Sequence, residues 1–330
     1  MIPNLVSDAH SCLPLSPYTS LKTLHRHHQY GFRYISINVG MDFNPIEQIV
    51  EVIASFRAQI TKDKILCMAE NIESITKAIQ EDKLAVSFDL EGAVPLLQNP
   101  DMVSVYKRLG VRQIHFAYNR NNSIAGGCHD KSQGLTALGK QMMHRVQAEN
   151  ILLDMSHNSI RTTLDICTYT QKPVIFSHSN PYALVPHPRN INDEQIRACA
   201  QTGGLICING VGRFLGGASP KNFARHCAYI ADLVGWEHVG MGLDTMMDQA
   251  GIQDLPSQLN YEYWWPKTHY PTGIGTLSYL QPEDIPEIYL ELKNLGFHTH
   301  ECEGILHKNL FTLLQKIDVG GEPSQGDVMV

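Results

Sequence analysis

The sequence predicts an α/β protein built as a (β/α)8 TIM barrel. Three observations carry that expectation: eight short apolar runs, helix-like segments between most of them, and chemistry-bearing polar residues where the runs end. Continuous apolar strands alternating with helices imply a parallel sheet covered on both faces, and eight such units close naturally into a barrel. A length of 330 residues fits one large barrel or two ordinary domains. No glycine-rich fingerprint follows the first run, so a dinucleotide-binding doubly wound sheet is the weaker architecture. The expectation is a single barrel domain over residues 1–330, with a long loop at about 243–284 and a C-terminal helical segment.

NLVSDAH (4–10) opens the series and ends on His10, with Cys12 two residues further on. YISINVG (34–40) is the second strand, and the stretch behind it, PIEQIVEVIASFRAQI (45–60), repeats its apolar residues at helical spacing. KILCMA (64–69) lies outside the count of eight and is expected as an accessory strand. LAVSFDLEG (84–92), RQIHFAYN (112–119) and ILLDMSH (151–157) follow, the last two separated by the amphipathic TALGKQMMHRVQAEN (136–150). PVIFSH (173–178), GLICIN (204–209) and HVGMGLD (238–244) complete the set. The segment from Leu243 to Asp284, rich in Pro, Gly, Tyr and Trp, reads as an irregular loop after the eighth strand, on the face where long loops shape a substrate pocket.

A formal net charge of −7 with no basic patch or run argues against a nucleic-acid surface and against a polybasic membrane anchor, leaving a small molecule as the expected partner. The start, MIPNLVSDAH, has neither a basic nor an apolar leader region, and no later segment is apolar for the length a bilayer requires. The expectation is a cytoplasmic protein. Its eight cysteines are scattered, several inside strand-like runs where buried free thiols are common, so no disulfide framework is implied.

Sixteen histidines are the unusual number, and their positions matter. The runs end in His10 and Cys12, Glu91, Tyr118 and Asn119, Asp154 and His157, His178, Asn209, and Asp244. In a (β/α)8 barrel the C-terminal strand ends converge on one mouth, so three histidines, a carboxylate and a thiol there form a transition-metal donor set. Any one such histidine could equally be a capping or core residue, and Cys12 could be a buried thiol beside an ordinary histidine. The cluster HRHH (25–28) is expected on a helix surface and HTH (298–300) in a solvated loop.

With these residues placed, the sequence resembles the membrane (renal-type) dipeptidase family, peptidase family M19, over nearly its whole length. DAHSCLP resembles the family's DGHxDLP, DLEGA its EGG strand end, and DMSHNS its DLSHxS. PVIFSHSNPYALVPHPRN resembles its PVIxSHSxxxxxxxHPRN, and HVGMGLDTM its HVGxGSDFDG. The resemblance implies a (β/α)8 metallohydrolase of the amidohydrolase type that uses one or two zinc ions to cleave a dipeptide or related small amide with metal-activated water. Carried over residue by residue, Glu91 would bridge both ions, His157 and His178 would complete the second site, and His10 and Cys12 would hold the first. Arg189 would clamp the substrate carboxylate, with Tyr118 and Asn119 beside the substrate, and Asp244 would accept and relay the proton of the attacking water.

Three positions depart from the family pattern: Cys12 stands for its aspartate, Tyr118 for a histidine thought to polarise the scissile carbonyl, and LHKN (306–309) for a GGN. A thiolate is a good zinc ligand but sits one bond nearer the backbone than a carboxylate oxygen, and a neutral phenol still donates one hydrogen bond. These changes leave a second reading open, a dipeptidase-like scaffold recruited for a biosynthetic tailoring step with a single-metal or metal-free site. A third is a non-catalytic metal-binding protein. Family members are often homodimers, which the resemblance carries over as an expectation.

Overall fold

The computed structural model describes residues 5–130, 133–247, 259–274 and 277–319. Nine strands lie in one sheet: β1 (Val6–Ser11), β2 (Phe32–Met41), β3 (Leu66–Met68), β4 (Leu84–Glu91), β5 (Val111–His115), β6 (Leu152–Asp154), β7 (Ile175–Phe176), β8 (Leu205–Asn209) and β9 (Val239–Gly242). All pairings are parallel, in the order β1, β2, β4, β5, β6, β7, β8, β9. The ends of this series meet. Asp244 N donates to His10 O at 2.9 Å, Cys12 N to Thr245 O at 3.0 Å and Met247 N to Cys12 O at 3.0 Å, which seals an eight-stranded barrel.

The ninth strand is the accessory one. β3 pairs with the first half of β4 (Leu66 opposite Leu84, Met68 opposite Val86), whereas β5 pairs with its second half (Phe88 opposite Val111, Leu90 opposite Ile114). β5 starts too late to cover the lower edge of β4, and β3 satisfies those backbone groups instead.

The helices follow the sequence periodicity. Ile46–Lys62 buries Ile49, Val52, Ile53, Phe56 and Ile60, a 3-1-3-4 spacing that lays one stripe on the barrel. Side-chain caps start others: Thr136 accepts from Gly139 N, Ser159 from Thr162 N, and Asn192 forms a capping box with Gln195. The C-terminal helical segment comprises Ile285–Asn294, Thr299–Glu303 and Asn309–Val319. Among the described residues no helix is long and apolar enough to cross a membrane. Of the expected long loop, residues 248–258 and 275–276 lie outside the described residues, as does the tail from 320. The described remainder holds the short helix Tyr261–Trp264 and a 3-10 turn at Pro282–Asp284.

The departure LHKN proves to be a feature of the barrel base rather than of the mouth. His307 Nδ1 is 2.7 Å from the hydroxyl of Ser7 at the start of β1, and Asn309 Nδ2 donates to the carbonyl of Val239 at the start of β9.

The HRHH expectation needs a correction. Within the helix His25–Gln29, His27 is 1% exposed and packs edge-on against Phe32 at 5.0 Å, with no hydrogen-bond partner on either ring nitrogen. Burial, aided by the charge of Arg26, lowers its pKa from 6.5 to about 3. Between those values only the unfolded chain takes up the proton, so this site leaves stability untouched above pH 6.5 and withdraws it as the pH falls. The expected loss from His27 is about 2 kcal/mol between pH 6.5 and about pH 5. His27→Met should therefore flatten the pH dependence of urea unfolding over that interval relative to the parent chain. Equal losses in both proteins would mean that His27 carries its proton in the folded state.

Candidate metal centre

The C-terminal strand ends bring the sequence-selected residues together. His10 lies in β1, Glu91 ends β4, and His157, His178 and Asp244 follow β6, β7 and β9. Asn119, His157 and Asp244 have φ of 60°, 68° and 52°, left-handed values that non-glycine residues adopt at a cost and that concentrate at functional sites. Gly92, after Glu91, has φ 134°, and a Cβ there would lie 2.0 Å from Asp42 Oδ1. That carboxylate accepts from Val94 N and Tyr118 N and so ties the loops after β4 and β5 to each other.

One carboxylate oxygen is the focus. Glu91 Oε1 lies 3.0 Å from His157 Nε2, 3.4 Å from His178 Nε2 and 3.4 Å from His10 Nε2, while Oε2 accepts from Asn38 Nδ2 at 2.5 Å. The other nitrogen of each ring faces a polar partner: His10 Nδ1 lies 3.1 Å from Asp89 Oδ1 without an aligned hydrogen bond, His157 Nδ1 donates to Asn119 Oδ1 at 2.7 Å, and His178 Nδ1 meets Ser177 Oγ at 2.7 Å. Outer partners of this kind fix the tautomer and aim of metal-binding imidazoles. Cys12 Sγ is 3.5 Å from His10 Nε2 and 3.7 Å from Asp244 Oδ1, and Asp244 Oδ2 accepts from Asn209 Nδ2 at 2.9 Å.

The donor set suits a transition metal. Burial, with the neighbouring cations Arg189 and His10, holds His157 and His178 well below the usual histidine range, so both are neutral and keep a lone pair for a cation. Burial also pushes Glu91 up to about 7 against the opposing pull of His10, and raises the Cys12 thiol. Burial alone would lower His10, but Asp89 and Glu91 outweigh it and hold the ring well above its usual value. The rings of His10 and His178 stack at 4.0 Å with planes 17° apart. Both Nε2 atoms lie 3.4 Å from Glu91 Oε1, and rings stacked this closely suit two neighbouring ions better than one.

Beside this cluster a cavity opens to solvent. Cys12, Glu91, His157 and Asp244 form its polar end, and Phe214, Trp265, Tyr270, Leu277 and Tyr279 its apolar wall. Arg189, 3% exposed, reaches in with its guanidinium 5.6 Å from the Phe214 ring and Nη2 donating to His178 O at 3.1 Å. Among the described residues it forms no ion pair. Tyr118 packs on the His157 ring at 4.5 Å, and burial raises its phenol well above the usual range, keeping it a hydrogen-bond donor. The amide of Asn119 also lines the cavity, but it is committed to His157 through Oδ1 and to Trp264 O through Nδ2.

Sequence reasoning missed Asn38, Asp42, Asp89 and, above all, His115. This histidine is wholly buried in β5, with ring centroids 5.5–6.0 Å from those of His10, His157 and His178. The signal was parity: Gln113 and His115 are two apart in β5 and share a face, which the bond from Gln113 Nε2 to Asp154 Oδ2 makes the barrel interior.

The family model described as membrane dipeptidase (peptidase family M19) matches residues 44–262. The chain belongs to this family. The segment matched to the membrane dipeptidases contains Glu91, Tyr118, His157, His178, Arg189 and Asp244, whereas His10 and Cys12 precede it. Dipeptidase tcpJ of Claviceps purpurea is 24% identical over 259 residues, 76% of this chain and 55% of that one. The uncharacterized dipeptidase C965.12 of Schizosaccharomyces pombe is 33% identical over 188 residues, 52% and 45% of the two chains. The chain thus spans about half the length of these curated relatives. An amidohydrolase from Pseudomonas aeruginosa superposes with a TM-score of 0.84 at 20% identity, over 96% of this chain and 97% of that one. A metallo peptidase from Rhodobacter sphaeroides, solved with a phosphinate mimic of L-Ala-D-Ala, superposes at 0.74 and 18% identity over 96% and 99%. These structures share the (β/α)8 fold.

Proposed function

We propose that this member of the membrane dipeptidase family is a metal-dependent hydrolase of dipeptides or related small amides that carry a free carboxylate and apolar side chains. The observation that carries the reading is a carboxylate oxygen facing three imidazoles, beside a cavity that a buried arginine lines, one that forms no ion pair among the described residues. Glu91, His157 and His178 would hold one ion, and Glu91, His10 and Cys12 a second. The thiolate favours zinc over harder cations. When bound, the ions supply a water that ionises near neutral pH and polarise the amide carbonyl.

The chain's own groups divide the remaining work. Arg189 fixes the substrate carboxylate with its planar fork, and the apolar wall takes the side chains. Tyr118 donates its hydroxyl to the carbonyl oxygen as negative charge develops there. Asp244, oriented by Asn209, takes the proton of the attacking water and returns it to the leaving amine. Asn119 acts by positioning His157. All eight cysteines are free thiols, which supports a reducing compartment such as the cytoplasm.

Cys12 and Tyr118, which stand where the family has aspartate and histidine, favour one competing reading: a recruited enzyme with a single ion acting in a tailoring step. Metal content together with turnover of a dipeptide panel separates the two. Two ions per chain with hydrolysis supports the first reading, and one ion without hydrolysis the second.

The clamp has its own test. Arg189→Lys should raise KM for a dipeptide with a free carboxylate by about 10- to 100-fold, the loss of one charge-assisted bidentate contact. KM for the corresponding dipeptide amide should hardly change. Equal losses on both substrates would reduce Arg189 to a brace for the His178 carbonyl.

A further inference from the structure

His115, on β5 at the level of Glu91 on β4, has no role in the reading above. It is completely buried, and its Nε2 lies 2.7 Å from Asp154 Oδ2. That contact runs off the N–H direction, so neither ring nitrogen has an aligned hydrogen bond. Buried polar atoms in native proteins are seldom left in this condition unless a ligand or ion completes them. One donor atom of His115 lies within 4.8 Å of donor atoms of Glu91 and His157, and likewise of His10 and His178.

Ring spacing shows which imidazoles can share one ion with it. With metal–nitrogen bonds of about 2.0–2.1 Å, two imidazoles on one tetrahedral ion have centroids roughly 4.5–6 Å apart. The pairs His157–His178 (5.0 Å), His115–His178 (5.5 Å) and His115–His157 (6.0 Å) all meet that condition. His10–His115 at 5.7 Å meets it too, whereas His10–His178 at 4.0 Å does not, so by spacing His115 can join either His10 or the pair His157–His178.

Asp154 favours the grouping with His157 and His178. Its Oδ1 accepts from Ser156 N at 2.9 Å and Ser177 N at 3.2 Å, the residues immediately before His157 and His178, while Oδ2 accepts from Gln113 Nε2 at 2.9 Å and meets His115. One carboxylate therefore touches the His115 ring and anchors the backbone immediately before His157 and His178, which ties the three histidines to a common support.

We propose that His115 is a further metal ligand, joining Glu91, His157 and His178, with Asp154 as the positioning residue for all three imidazoles. The inference rests on the reading of this mouth as a metal centre. Its consequence is asymmetry: the ion on Glu91, His115, His157 and His178 is enclosed by four protein groups and binds tightly. The ion on His10, Cys12 and Glu91 keeps an open position.

The test loads the metal-free protein with one equivalent of zinc and counts imidazoles by X-ray absorption fine structure. Three imidazoles per zinc in the parent chain, falling to two in His115→Phe, is the expected result. The same variant should release its tighter zinc to a chelator about 10- to 1000-fold faster, with the weaker zinc unaffected. Two imidazoles in the parent chain would overturn the assignment while leaving the metal centre standing, and that measurement needs no variant to fold. Failure of the parent chain to bind zinc at all would overturn both this inference and the proposed function. Unchanged zinc release in a folded His115→Phe would likewise leave His115 as no more than a structural partner of Asp154.

Discussion

Glu91→Gln should strip metal from both proposed sites and lower turnover by at least about 10³-fold, equivalent to about 4 kcal/mol of transition-state stabilisation. The substitution changes one atom, so the barrel should remain folded. Asn38 Nδ2 donates to Oε2 at 2.5 Å, and a glutamine will turn its oxygen to meet that donor. Its amide NH2 then replaces the anion 3.0–3.4 Å from the Nε2 atoms of His157, His178 and His10. A donor is thereby aimed at the place where a cation would sit. His178→Ala should behave differently, removing one equivalent and leaving the ion on His10 and Cys12. Metal analysis of the two purified variants checks the contrast. Full metal content in Glu91→Gln would end the assignment of Glu91 as a shared ligand.

The barrel was legible because parallel strands covered on both faces read as continuous apolar runs, and each of the eight runs contributes a strand to the closed ring. Their lengths were less legible. The run at 151–157 yields only Leu152–Asp154 and the run at 173–178 only Ile175–Phe176. The polar ends of both runs turn out of the sheet to present His157 and His178. The mouth residues stood out because they break an apolar pattern at its end. His115 did not, since a polar residue inside a strand is visible only when parity is compared with Gln113. Asn119 shows a further limit: its position at a strand end does not reveal that its amide is already engaged by His157 and Trp264. Nor does local sequence distinguish the base of the barrel from its mouth. The bulky LHKN segment lies far along the chain from both β1 and β9, and only the closed ring shows that it touches their N-terminal ends.

Cys12→Ala should cost one metal equivalent, the weaker of the two, and Cys12→Asp should retain that equivalent with a changed preference among metals. The thiol lies 5% exposed beside His10, and burial raises its pKa against the opposing pull of His10, with Glu91 and Asp244 adding to the rise, so a bound cation would stabilise the thiolate further. Its backbone cannot move to adjust reach, because Cys12 N donates to Thr245 O and Cys12 O accepts from Met247 N in the seam that closes the barrel. The side chain must therefore already be in place. It is: a tetrahedral zinc with Zn–S of about 2.3 Å and Zn–N of about 2.0–2.1 Å sets sulfur and nitrogen about 3.6 Å apart, and Cys12 Sγ lies 3.5 Å from His10 Nε2. The longer bond to sulfur thus compensates for the shorter side chain. An aspartate on the same fixed backbone brings a harder oxygen to the ion, so Cys12→Asp should bind cadmium about 10- to 100-fold more weakly relative to manganese than the parent does. Competition titrations with the two cations measure that ratio. If instead the parent chain holds one metal and Cys12→Asp holds two, with a gain in dipeptide hydrolysis, then the cysteine has disabled a binuclear site rather than serving in it.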